Sequence, residues 1–372
     1  MDQNTAASKY RFVLVGSGWR AQYYIRIARA LPGVFELCAV FCRTEEKAAL
    51  IAAEFGVHTT TSMEECRSLQ PDFIVVAVTK TVIAQVSREW LDHGFTVLCE
   101  TPIAVDLETL KQISSYAAGK EPKLVVAEQY QFYPEYIAMR KLLEKGLIGA
   151  PDFLTLSAAH DYHAASLIRA FLGISADTDF SVTAKSFSFP TVETLTRYER
   201  YTDGRIADKK RTLAVFAFAD GKTALYDFDS EQYRSPIRGN LIKIQGCRGE
   251  IMNRRITYLD QNNQPKSSEL VIESRQSETA NSNPNFHTVT EITRITFENE
   301  ILYTPEFGLC GLSQDETAIA HLMKQTAEYA RGTAGSPYAL QEAIQDAYMS
   351  ILLRQADEAG VTVESSQVSL VQ

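Results

Sequence analysis

The run VLCETPIAV, residues 97–105, ends an apolar stretch with Glu100, Thr101 and Pro102. The apolar part reads as a buried strand and the Glu-Thr-Pro as its exit, and strand exits in open α/β sheets are where ligands sit. Threonine is a poor acid and a poor base at neutral pH, so a site there needs another group to move a proton. A second cluster offers one. His160, Asp161, Tyr162 and His163 stand together before the amphipathic stretch ASLIRAFLG. His163, His160 and Tyr162 are the candidate proton donors or acceptors, with Thr101 orienting a substrate hydroxyl or relaying a proton to one of them. The plainer reading makes Asp161 a helix N-cap and leaves one histidine to support a loop.

A third motif concerns phosphate. VLVGSGWRAQYY sets Gly16, Gly18 and Ala21 at G-x-G-x-x-A spacing between a strand and a helix. The first glycine allows a tight turn, the second admits a pyrophosphate, and the small third residue lets helix and strand pack closely. The helix N-terminus then faces the phosphate charge. Without a ligand the same pattern is simply a tight turn. Arg20, inside it, either adds to the phosphate field or faces solvent. The second strand ends in Cys42, Arg43 and Thr44 rather than in the acidic residue that usually meets a ribose 2′-hydroxyl. Arg43 can pair with a 2′-phosphate and Thr44 can hydrogen-bond it, so NADP is preferred and NAD remains possible. Arg43 could equally be a solvated loop cation.

These motifs need a frame, and 372 residues suggest two domains. Short Val/Ile-rich runs alternate with helical patterns through the first third, from YRFVLVG to KLVVAEQY. That alternation predicts a doubly wound parallel sheet covered on both faces, over residues 1–130. Residues 131–372 read as an α+β domain with a large, mostly antiparallel open sheet and helices on one face. AFADGKTAL is a hairpin signal, with Asp220-Gly221 supplying the positive φ. Helices are expected over about 315–331 and 340–358, and DQNNQPKSSEL and SRQSETANSNPN as polar loops.

Composition narrows the function. With 45% hydrophobic and 22% charged residues the chain is of ordinary globular type. A formal net charge of −9 argues against a nucleic-acid binder that relies on a broad basic field. No apolar run approaches the ~18–20 residues that span a bilayer, so no membrane partner is expected. A polar N-terminus without a signal-peptide core predicts a cytoplasmic protein. The six cysteines form no CxxC pair, and no HExxH or EF-hand spacing occurs, so no metal is expected. Neither a G-x-S-x-G nor a P-loop lysine motif appears.

The glycine turn, GFTVLCETPIA and EKGLIGAPDF together resemble the Gfo/Idh/MocA oxidoreductases, most strongly before about residue 175. The resemblance implies an N-terminal Rossmann domain, a C-terminal α/β domain whose open sheet mediates homo-oligomers, and hydride transfer between NAD(P) and a sugar, inositol or related alcohol. The family's motif at the strand end is Glu-Lys-Pro; Glu100 and Pro102 match, and Thr101 replaces the lysine. Aligning LIRAFLG puts His163 at the family's histidine and Ala159 in place of an aspartate four residues earlier. The substrate cleft is then expected near Gln129 and Tyr130. The expected cofactor contacts are Gly16, Ser17, Gly18, Trp19, Arg20, Arg43, Thr44, Thr79, Glu100, Pro102 and Gln129. Lys209, Tyr233, Arg234 and Arg238 either reach an anionic substrate or form a solvated sheet edge. The expected activity is an NADP-dependent dehydrogenase or reductase acting on a sugar-like substrate. Alternatives are a sensor that has lost catalysis, and an enzyme using a bound cofactor for redox-neutral chemistry.

Overall fold

The computed structural model describes residues 8–119, 121–196, 199–279 and 288–367. Its first elements are β1 (Tyr10–Val15), α1 (Ala21–Ala30), β2 (Phe35–Phe41), α2 (Glu45–Phe55), β3 (Thr59–Thr60) and α3 (Met63–Ser68). There follow β4 (Phe73–Val76), α4 (Ile83–Asp92), β5 (Val97–Cys99), α5 (Leu107–Ala117) and β6 (Leu124–Val126). All six strands are parallel, in the order β3-β2-β1-β4-β5-β6. Strands β4, β5 and β6 are buried on both faces, hence their unbroken apolar runs. The order reverses between β1 and β4, which opens a crevice at the carboxyl ends of the strands. Gly16 forms one wall. It has φ +123°, and a Cβ there would lie 2.2 Å from the Ala77 carbonyl oxygen beyond β4. Only glycine lets the two strand exits approach so closely.

The chain continues through α6 (Pro134–Glu144), β7 (Pro151–Ser157), α7 (Asp161–Leu172), β8 (Phe180–Val192), β9 (Ile206–Phe218) and β10 (Thr223–Asp229). Next come β11 (Leu241–Gly246), β12 (Gly249–Met252), β13 (Arg255–Leu259), β14 (Pro265–Glu269), β15 (Val271–Glu278), β16 (Thr288–Phe297) and β17 (Glu300–Tyr303). The last elements are α8 (Gln314–Ala330), α9 (Leu340–Ala359) and β18 (Val363–Glu364). A nine-stranded sheet runs β14-β13-β12-β11-β7-β10-β9-β8-β18 and is antiparallel except between β7 and β10. Helices α7 and α9 cover one face. Strands β15, β16 and β17 form a separate small sheet. Helix α8 crosses back and packs on α1, β1 and β4, with Arg26 paired to Glu316 at 2.6 Å. No helix among the described residues is long and apolar enough to cross a membrane.

Three local expectations change. DQNNQPKSSEL contains β14, and Ser274–Glu278 of the second expected loop belongs to β15; residues 280–285 of that loop lie outside the described residues. Both strands are sheet edges with mostly exposed side chains, so backbone pairing holds them without any apolar alternation. The β9–β10 hairpin forms as expected, but its positive φ falls on Gly221 and not on Asp220. Asp161 is not the N-cap of α7. His160 takes that place, and Asp161, Tyr162 and His163 already lie in the first turn.

Candidate functional site

Glu100 and Glu128 close two adjacent strands, β5 and β6, and both are buried at the sheet's carboxyl end. A carboxylate in such a place must be hydrogen-bonded, and each is. Glu100 Oε1 accepts from Arg20 Nε at 2.8 Å and from the Tyr24 hydroxyl at 2.6 Å, while Oε2 accepts from the Thr101 backbone N–H at 3.3 Å. Arg20 therefore does not face solvent. Its Nη1 continues to Asp315 Oδ2 at 2.6 Å, at the start of α8. Asp315 Oδ1 accepts from Gln129 Nε2 at 2.7 Å and from the Tyr133 hydroxyl at 3.0 Å. Burial opposes charge on Asp315, but Arg20 and these donors outweigh it and hold the carboxyl below its ordinary range.

Glu128 answers the question of the missing aspartate. Ala159 is fully buried, and the partner of His163 comes from another element: Glu128 Oε2 lies 2.7 Å from His163 Nδ1. Burial pushes the Glu128 carboxyl well up; the Tyr130 N–H, 3.2 Å from Oε1, opposes this and the Glu100 charge adds to it. Burial, reinforced by the charge of Arg20, lowers His163 to about 3. At neutral pH the contact is thus a neutral hydrogen bond that shares one proton, rather than an ion pair. With Nδ1 engaged by Glu128, Nε2 is the ring nitrogen left to meet a ligand.

The His163 ring lies between Tyr130 and Tyr162, with ring centres 4.3 and 4.4 Å away. Tyr162 is hydrogen-bonded to Thr101, and burial raises its phenol far enough to keep it neutral. His160 stands 5.1 Å from His163, ring centre to ring centre. Its Nδ1 lies 2.6 Å from the Tyr233 hydroxyl, and that hydroxyl accepts from the His160 backbone N–H at 2.9 Å. Burial, with His163 beside it, lowers His160 to about 3 as well. A cleft of about 460 Å³ adjoins this cluster, lined by Tyr130, Tyr133, Tyr136, Tyr233, Asn240 and Asp315 among others. That volume is in the ordinary range for small-molecule sites.

The glycine turn fits a dinucleotide. A Cβ at Gly18 would meet nothing within 4 Å, so the turn is open there. Helix α1 has neither a side-chain cap nor an acidic residue in its first turn, which leaves its N–H groups for an anion. Gln129 Oε1 is buried and has no hydrogen-bond partner among the described residues, an acceptor suited to a carboxamide. Trp19 stacks edge-on against Tyr23 at 4.7 Å. Arg43 is exposed beyond β2, and the Thr44 hydroxyl caps α2 by accepting from the Lys47 N–H at 3.3 Å. Thr79 lies exposed in the loop after β4. Pro102 follows a cis peptide bond and faces a small internal cavity with Thr101.

The structure thus brings Glu100, Thr101, Arg20, Gln129, Tyr162 and His163 together, with His160 one ring away. Of the charged residues on β9 and after β10, Tyr233 joins this cluster, whereas Lys209 pairs with Glu193 and Arg238 with Asp229. Sequence reasoning missed Glu128 and Asp315. Glu128 carried a readable signal, since it ends an apolar strand just as Glu100 does. Asp315 carried none, because SQDE reads only as the capping box that Ser313 and Glu316 in fact form.

Residues 10–128 match the family described as "Oxidoreductase family, NAD-binding Rossmann fold". The scyllo-inositol 2-dehydrogenase (NADP(+)) IolU of Bacillus subtilis is 26% identical over 137 residues, 36% of this chain and 42% of that protein. The inositol 2-dehydrogenase of Rhizobium meliloti is 26% identical over 152 residues, 40% of this chain and 44% of that one. The matched stretch therefore spans less than half the length of either relative. Over the whole chain the fold is that of an Agrobacterium radiobacter oxidoreductase solved with NAD+, L-tartaric acid and magnesium. The two share a TM-score of 0.64 and 14% identity, over 97% of this chain and 100% of that one. The apo scyllo-inositol dehydrogenase of Lactobacillus casei gives 0.62 at 14% identity, covering 96% and 99%. By its glycine turn, its strand order and this match, the segment of residues 10–128 is a Rossmann fold of the kind found in the NAD-binding part of the Gfo/Idh/MocA oxidoreductases.

Proposed function

We propose that the chain is an NADP-preferring oxidoreductase that interconverts an alcohol and a carbonyl on a polyol, sugar or similar small molecule. The observation that carries this reading is the buried, neutral Glu128–His163 pair beside the β5 and β6 exits, next to a tyrosine-lined cleft. A bound nicotinamide supplies or takes up the hydride. In reduction, His163 Nε2–H gives its proton to the substrate oxygen while Nδ1 takes the proton of Glu128, so the imidazole never needs to become a cation. Oxidation reverses both transfers, and before a second reduction Nε2 regains a proton from solvent through the cleft as Nδ1 returns its own to Glu128. Tyr162 and Thr101, bonded to one another, orient the substrate hydroxyl, and His160 with Tyr233 closes the far side. Arg20 holds Glu100 and Asp315 across the cleft. The loss of the family's lysine at position 101 is compatible with turnover because the pair supplies the proton.

A screen of NADPH and NADH consumption over keto-sugars and inosose-type ketones, with NADP+ and inositols for the reverse direction, tests the reading. Turnover of any of these supports it. Quenching of Trp19 fluorescence by cofactor without turnover of any of them would overturn it in favour of a binding protein.

Cofactor choice is read from Arg43. Arg43→Ala should raise KM for NADPH by about tenfold, as expected when one charge-assisted phosphate contact of ~1.4 kcal/mol is lost, and leave KM for NADH within twofold. Equal effects on both would remove the 2′-phosphate role.

The uncovered face of the large sheet carries Phe187 and Phe189 on β8, Leu213 and Val215 on β9, Leu225 on β10 and Met252 on β12, all exposed. The strand registers set these side chains on one face. Such a patch is typical of an interface, and we read it as the homo-oligomer contact. Val215→Asp should convert the assembly to monomers in light scattering without lowering the melting temperature of the isolated chain by more than a few degrees. A native protein that is already monomeric at micromolar concentration would refute this.

A further inference from the structure

The tyrosine-lined cleft has an uneven balance of charge. The described residues that line it include two carboxylates, Glu135 and Asp315, and no lysine, arginine or histidine. Glu135 lies in the first turn of α6 and Asp315 in the first turn of α8, where the helix dipole favours the ionised form. An acid in such a turn is ordinary by itself. What sets these two apart is the cleft they share, whose wall puts no cation of its own against them.

Behind the wall the balance stays negative. Arg20 pairs with Asp315 at 2.6 Å, but the same guanidinium also holds Glu100 at 2.8 Å. One positive charge therefore serves two carboxylates. The Glu128–His163 pair adds none, since burial favours the neutral form of both partners. The Asp315 side chain is 24% exposed, so a ligand can still reach it. Glu135 pairs with Arg254 at 3.0 Å, and Arg254 is 55% exposed, where solvent weakens such a pair. Lys80 and Arg234 add to burial and to His163 in lowering His160, but neither lines the cleft. Lys209 is taken by Glu193 and Glu231, and Arg238 by Asp229.

Much of the remaining wall is phenol, hydroxyl and amide. Tyr130, Tyr133 and Tyr136 stack on one another with ring centres 4.8 and 5.7 Å apart. Burial, above all, raises these three phenols and keeps them neutral. Such a wall hydrogen-bonds the hydroxyls of a polyol and neutralises no anion. We propose that the substrate is an amino-bearing sugar or polyol, with its hydroxyls on the tyrosine wall and its ammonium held by Asp315 and Glu135. The inference deepens the oxidoreductase reading and rests on it for the reaction. The ammonium is a handle only. In oxidation the hydride leaves a carbinol carbon and the proton leaves its oxygen, while the nitrogen keeps all its bonds. A carboxylate or phosphate in the same place would meet two like charges, which rejects it.

Two matched series test this by calorimetry with NADP+ present: glucosamine, glucose and glucuronate, and scyllo-inosamine, scyllo-inositol and its monophosphate. At neutral pH the amine of at least one series should bind about tenfold more tightly than the neutral member, the worth of one charge-assisted contact. The anion should bind least. Glu135→Gln should cut the amine's advantage at least about threefold and leave Kd for the neutral member within about twofold; a merely structural role would weaken both alike. Asp315→Asn should abolish the advantage if the variant folds. For glucosamine the advantage should fade near pH 9, where the amine is largely neutral and both carboxylates remain ionised. An amine that binds no better than the neutral member in both series overturns the proposal, as does an anion that binds best. Failure of both amines to bind at about 10 mM overturns it too. If the excess charge instead serves the oxidised nicotinamide ring, NADP+ binds more tightly than NADPH by a margin that Asp315→Asn removes, the sugars show no preference, and the proposal falls. Amines preferred but never oxidised, nor their ketones reduced, keep the binding inference and defeat the oxidoreductase reading. Turnover of neutral sugars without preference for amines does the reverse.

Discussion

His163→Ala is expected to lower kcat/KM by about 10²–10⁴-fold, the usual contribution of a positioned acid–base group, mostly through kcat. The argument is one of place. His163 is buried between two tyrosine rings, and its Nδ1 is committed to Glu128. Only Nε2 remains for the substrate, and no other ionisable group of the cluster is equally poised. Tyr162 is held neutral by burial, and His160 has its Nδ1 occupied by Tyr233. The pH profile carries the same signature. Burial keeps His163 neutral down to about 3, so no limb of an ordinary imidazole near 6.5 should appear. A His163→Ala enzyme retaining a tenth or more of native kcat/KM would exclude the assignment.

Gly18→Val is the second large effect, and its value lies in what it should leave alone. A Cβ at Gly18 meets nothing within 4 Å, so the variant should melt within a few degrees of the native chain. The added branches fill the space in front of α1, where a pyrophosphate must approach the backbone. Cofactor Kd, followed by Trp19 fluorescence, should rise at least about tenfold, which is ~1.4 kcal/mol, and the cofactor-induced rise in melting temperature should shrink accordingly. Gly16 is the contrast. There a Cβ would strike the Ala77 carbonyl at 2.2 Å, so Gly16→Ala should destabilise the fold itself. If Gly18→Val binds cofactor as tightly as the native protein, the turn is only structural.

How much of this was legible depends on the range of the interactions involved. The glycine turn, the parallel strands and the two late helices follow from short-range rules, and they lie where the residues predicted. The polar strands β14 and β15 did not announce themselves, because an exposed edge needs no apolar period. At the start of α7 the plainer alternative, Asp161 as N-cap, gives way to His160 in that place. Arg20 looked like a turn residue of either use, and only the fold turns it inward to Glu100 and Asp315.

By itself the sequence determined the Rossmann domain and its glycine turn, since both are written in consecutive residues with a fixed local geometry. Only the tertiary structure decided who works with whom. Thr101 bonds Tyr162. His163 finds its partner 35 positions away in Glu128. Burial then favours the neutral form of both partners, and burial is a property of the assembled fold that no local run of residues encodes.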